Sequence, residues 1–157
     1  MSATTNRKAP MEITFEPTTS QALRKNWGSM LDQIEVGKAN YQVRRYNQPL
    51  LALLRVSTYE ALGACPEDLA SLDLPKNPET GKPLPDAIDW ANLDHDRVKI
   101  EAGYAWVHLR VIQNQVGKGG LHVGLTRYGK LVAVMVPIDW VEDAIAKAKQ
   151  WERRKRK

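Results

Sequence analysis

Three histidines, one cysteine and a scatter of carboxylates are the residues that could carry acid–base or covalent chemistry, and their spacing gives them little with which to do it. His95, His108 and His122 lack the His-x-x-x-His spacing that puts two ligands on one helix face. Asp94 and Asp96 flank His95 in a polar stretch, which reads as a solvated surface cluster. Gly117-Lys118-Gly119-Gly120 has the glycines of a phosphate loop but not its Gly-Lys-Ser/Thr. Cys65 has no histidine motif nearby; as the sole cysteine it forms no intramolecular disulfide and fits a reducing compartment. No catalytic residue, metal site or cofactor is expected.

The cations are better placed. Arg24, Lys25 and Asn26 stand in succession, Arg44 and Arg45 are adjacent, Arg127 and Lys130 flank a Tyr-Gly pair, and Arg153, Arg154, Lys155, Arg156 and Lys157 form a basic run. An arginine's planar fork clamps a phosphate or pairs bidentately with guanine, and asparagine pairs the same way with adenine. Net charge is +5, distributed as +3 over residues 1–62, −6 over 63–96 and +8 over 97–157. Two basic blocks around an acidic one suggest a polyanion partner, because each phosphate contact releases counterions. The competing explanations are a solvated helix face for Arg24 to Asn26, pairing with a carboxylate for Arg45 and Arg127, and a frayed end for the basic run.

The elements that must position these residues occur twice. Val36-Gly37-Lys38 matches Val116-Gly117-Lys118, and Arg45-Tyr46-Asn47-Gln48 matches Arg127-Tyr128-Gly129-Lys130, with a spacing that drifts from 80 to 82 residues. In the first copy Glu12 to Glu16 alternates as a strand, and Thr18, Thr19 or Ser20 caps a helix bearing Leu23, Trp27, Met30, Leu31 and Ile34. Gly37 stops it. Tyr41 to Arg45 and Leu50 to Val56 are strands about a turn at Asn47-Gln48-Pro49, and Ser57 caps a short helix. In the second copy Val98 and Ile100 mark the strand, and Ala105, Trp106, Leu109 and Ile112 mark one face of the helix. Leu121 to Leu125 and Leu131 to Val136 are the hairpin, and Asp139 opens a last helix through Ala148. Trp27, Trp106 and Trp140 sit at apolar helical positions and are expected in the core.

The fold class is therefore α+β, two β-α-β-β-α units at 12–62 and 97–150. Residues 1–11 form a flexible N-terminus, 63–96 an acidic Pro-rich linker, and 151–157 a basic tail. Leu69, Leu72, Leu74, Ile88, Trp90 and Leu93 imply that parts of the linker dock. No stretch has the length of a membrane span or the apolar core of a secretory signal, so a cytoplasmic protein with no membrane partner is expected.

Arg45-Tyr46-Asn47-Gln48-Pro49-Leu50-Leu51-Ala52-Leu53-Leu54 resembles the Phd/YefM antitoxin signature. Val56-Ser57-Thr58-Tyr59-Glu60-Ala61-Leu62 is similar to the family's next helix. Leu23-Arg24-Lys25-Asn26-Trp27, continued by Leu31-Asp32-Gln33-Ile34, is similar to its Ala-Arg-x-Asn-Leu opening, and Thr126 to Val136 repeats the hairpin. The resemblance covers about two-thirds of the chain. It implies an intramolecular pseudo-dimer that binds operator double-stranded DNA and represses its own operon, either as a monomer or as a homodimer. One head would use Arg24, Lys25, Asn26, Arg44 and Arg45, and the other Arg127 and Lys130 with the tail from Arg153. The alternative it implies is a protein-binding module that neutralises a toxin through the acidic linker. The chain departs from the family in its duplication, in lacking an arginine at the start of the second helix, and in ending on a basic run rather than an acidic segment.

Overall fold

A computed structural model describes residues 13–72, 74–82, 84 and 88–155. The expected flexible segment 1–11, and Arg156 and Lys157 of the basic run, lie outside them.

Among the described residues seven strands form one sheet in the order β1-β2-β3-β7-β6-β5-β4. They are β1 (Glu16–Thr19), β2 (Tyr41–Arg45), β3 (Gln48–Leu54), β4 (Ala70–Ser71), β5 (Arg97–Glu101), β6 (His122–Arg127) and β7 (Lys130–Pro137). The first strand is displaced from the expected Glu12 to Glu16. Ile13 and Phe15 instead pack as irregular chain against the core. The first hairpin turns on Tyr46-Asn47, not on Asn47-Gln48-Pro49, because both residues take the left-handed conformation that suits a two-residue turn. The helices are α1 (Ser20–Lys25), α2 (Trp27–Glu35), α3 (Val56–Ala61), α4 (Ala102–Val107), α5 (Leu109–Gly117) and α6 (Ile138–Lys155). The helix expected before each hairpin is thus two. Asn26 and His108 break them at φ/ψ of −112°/26° and −108°/23°.

Registers repeat with a constant offset. Tyr41 faces Leu53 and Val123 faces Met135, Arg45 faces Gln48 and Arg127 faces Lys130, so residue n of the first hairpin matches n + 82 of the second. The irregularities after Val43 and Leu125 obey the same offset. So do the helix caps: the Thr19 side chain accepts from the Ala22 N–H, and the Glu101 side chain from the Tyr104 N–H. The drift to 80 came from matching the two Val-Gly-Lys triplets, which are not counterparts. Gly117 is the last residue of α5, where α2 has Glu35. At the sheet's centre β3 and β7 run antiparallel with the counterparts Leu53 and Met135 facing one another, which sets a local twofold between the halves.

The sheet separates two apolar layers. Leu23, Trp27, Met30, Leu31 and Ile34 pack with Ala105, Leu109 and Ile112 on one face, over Val43, Leu51, Leu53, Val123, Leu125 and Met135. Tyr59 and Val141 cover Ala52, Leu54, Val134 and Val136 on the other. The strands alternate between the layers, as a two-sided core requires. The acidic segment is built into this core. Leu69 and Trp90 are buried, Leu72, Leu74, Ile88 and Leu93 pack beside them, and β4 adds a parallel edge strand to β5. Among the described residues no helix is long and apolar enough to cross a membrane.

One close approach carries a prediction. A Cβ on Gly117 would lie 2.3 Å from Leu50 Cδ1 and 3.2 Å from the Leu50 carbonyl oxygen, so α5 seats on β3 only because that position is glycine. Gly117→Ala is expected to cost about 1–3 kcal/mol, as overpacking does. A urea midpoint equal to that of the wild type would show that α5 can lift off β3 freely.

Candidate nucleic-acid interface

The two hairpin shoulders hold the arginines singled out by the sequence. Arg45 ends β2 and Arg127 ends β6, and each reaches the helix of the opposite half. Arg45 Nη1 donates to Asn114 Oδ1 at 2.7 Å, and Arg127 Nη1 donates to Asp32 Oδ1 at 2.6 Å. These are counterpart bonds, since 114 is the 82-residue match of 32. Their electrostatics differ. Asn114 leaves the Arg45 charge intact. Arg127 is paired with Asp32, lies 3.5 Å from Glu35, and donates through Nη2 to the Gly28 carbonyl at 3.2 Å. The hydrogen bond to Asp32 is the main reason its guanidinium pKa is pushed further up. Arg127 is therefore occupied by carboxylates, the arrangement that competes with phosphate binding.

Arg24 and Lys25 are exposed at the end of α1. The Arg24 guanidinium carbon lies 5.0 Å from the ring centroid of Trp106, whose indole N–H donates to the Arg24 carbonyl at 2.9 Å. Trp106 is the counterpart of Arg24, so the two meet across the local twofold. Two arginines there would repel, whereas Arg on Trp is a cation–π contact. Trp106 is accordingly 40% exposed, not in the core as expected, while Trp27 is 7% exposed. Asn26 is exposed, and its role is local: its N–H bonds the Ala22 carbonyl and its carbonyl accepts from Met30.

Arg44 is exposed and donates to Gln42 Oε1 at 3.0 Å, and Lys130 is exposed at the start of β7. Arg153 and Arg154 are exposed on α6, which runs on to Lys155 rather than fraying from residue 151. That helix packs through Ile138, Trp140, Ala144 and Ile145 against the layer opposite α1 and α2. Arg153 and Arg154 thus stand on the other side of the sheet from Arg24, and the described cations do not form one patch.

Sequence reading missed Arg110, exposed on α5. The constant offset would have found it: Arg110 is the match of Gly28, whose carbonyl lies over Arg127. The repeat therefore sets Arg110 beside the Arg45 shoulder. Each shoulder is shared between halves, Arg45 bonding Asn114 and Arg127 bonding Asp32. One end carries Arg44 and Arg45 at the shoulder, Arg45 bonded to the helix that bears Arg110. At the other end a cleft of about 1030 Å³ is lined by Trp27, Asp32, Glu35, Glu101, Arg127 and Lys130, among others. No family model matches the chain, and neither a curated protein nor a solved structure matches it.

Proposed function

We propose that this chain is a tandem Phd/YefM-like intramolecular pseudo-dimer that binds operator DNA sequence-specifically and represses its own operon. The observation that carries the reading is the constant repeat, which sets an arginine shoulder at each end of one sheet. Leu51 faces Pro137 and Leu54 faces Val134, so Gln48 and Lys130, beside the two shoulders, are about ten residues apart along the strands. At roughly 3.3 Å per residue that is about 33 Å, close to the roughly 34 Å of one B-DNA turn. Arg24 and Lys25 lie near the twofold between the shoulders. The acidic segment suits a toxin-wrapping peptide less well, because Leu69, Leu72, Leu74, Ile88, Trp90 and Leu93 are spent on the chain's own core.

The test is titration of the full chain against the duplex upstream of its own gene and against random duplex, over a salt series. The upstream duplex is expected to bind about 10³-fold more tightly at equal salt, with log K falling linearly in log salt. Equal affinity for both duplexes, even at low salt, sinks the repressor reading and leaves a protein-binding module.

A further inference from the structure

Tyr46 and Tyr128 occupy counterpart positions at the tips of the two hairpins and contribute nothing to the core: they are 92% and 104% exposed. Both also hold a conformation that a tyrosine adopts at a cost, with φ of 53° and 52°. Among the described residues the remaining positive-φ positions are glycines and Asn47, the types that tolerate it. The first position of such a two-residue turn favours asparagine, aspartate or glycine. A large aromatic ring that is strained, unpacked and repeated in both halves does not serve folding. Strain that the fold does not need marks a contact surface.

Resting on the DNA-binding reading above, we propose that Tyr46 and Tyr128 are DNA-contact residues, their rings lying against deoxyribose and base edges of duplex DNA. Charge selects this occupant. The Tyr46 tip follows Arg44 and Arg45, with no carboxylate in the turn, and the Tyr128 tip is followed by Lys130, exposed at the start of β7. Aromatic rings beside cations suit duplex DNA, where the cations hold phosphates and the rings bury apolar area against sugars and groove edges in a sequence-tolerant way. The tips stand beyond shoulders already spaced by about one helical turn, so both can meet the same duplex.

The experiment uses the full chain, the same two duplexes and the variants Tyr46→Asn, Tyr128→Asn and the double. Each single variant is expected to lose roughly 5- to 10-fold in affinity on both duplexes, and the double more. The slope of log K against log salt should stay at the wild-type value, because a ring releases no counterions. The thermal midpoint should hold or rise, because asparagine relieves the strained turn. A structural role for the tyrosines predicts the reverse, a falling midpoint. Wild-type affinity in the double variant overturns the proposal and leaves the repressor reading standing. A wild type that binds neither duplex removes that reading instead, and with it this assignment, in favour of a protein partner at the tips.

Discussion

Between pH 6.5 and 4 the folded chain is expected to lose about 3 kcal/mol of stability through one histidine. His122 is 4% exposed, with its ring edge-on to Tyr59 and Trp140 at centroid distances of 5.7 and 4.9 Å. Burial, helped by the nearby Arg97 charge and opposed by Asp96, lowers its pKa from 6.5 to about 4. Tyr59 stays protonated, its own pKa raised chiefly by burial and opposed by the nearby Arg97 charge. The Tyr59 hydroxyl lies 2.9 Å from His122 Nδ1, within hydrogen-bond distance of the neutral ring. A histidine held neutral when folded charges more readily when unfolded. Its contribution is whole above the unfolded value of 6.5 and is lost as pH falls towards the folded value of about 4. Two and a half pH units at about 1.36 kcal/mol each give the stated size. Urea unfolding at pH 7 and pH 4.5 measures it. His122→Gln keeps an acceptor that cannot charge, so its stability should be nearly flat across that interval. A wild type as flat as the variant would show that His122 is hydrated in the folded state.

Why the second half carries a histidine there follows from the repeat. Its counterpart Asn40 accepts the Arg55 N–H through Oδ1 at 2.8 Å. The counterpart of Arg55 is Pro137, which has no N–H to give. Freed from that bond, position 122 turns to Tyr59 of the other half. A single proline thus converts a backbone latch into a contact between halves.

The hairpin strands and the second turn were legible because strand alternation and a Tyr-Gly turn are local signals, whereas the first turn, expected at Asn47-Gln48-Pro49, falls on Tyr46-Asn47. The helix breaks were not. Asn26 and His108 are ordinary within a helical pattern, and only packing onto the sheet shows that the chain bends there. Reading through the break at His108 is also what placed Trp106 in the core stripe, since the bend rotates the stripe away from it. β4 is two residues long, too short to show alternation, so its segment read as a linker. The arginines at the hairpin shoulders could be named from sequence, but their fates could not. Those depend on Asn114 and Asp32, 69 and 95 residues away, and no local pattern distinguishes the two partners.

That difference in partners sets the last expected result: Arg45→Ala should weaken DNA binding by roughly 10- to 100-fold and lower the salt slope by about one, whereas Arg127→Ala should change affinity by less than about 3-fold. Arg45 is held by a neutral amide and keeps its full charge for a phosphate. Arg127 already spends its charge on Asp32 and Glu35, and a phosphate would have to displace both. The loss in Arg127→Ala should appear in stability instead. It is about 1 kcal/mol at most, since the Asp32 side chain is 66% exposed and solvent screens the pair. Asp32→Asn installs the residue that its counterpart already carries. It should free the Arg127 charge, raise affinity several-fold and steepen the salt slope by about one. Equal losses for the two arginine variants, with no gain in Asp32→Asn, would mean that both shoulders meet phosphate alike and that the carboxylates yield on binding. Unequal losses make the protein a lopsided reader, gripping one half-site through Arg44, Arg45 and Arg110 and only resting on the other.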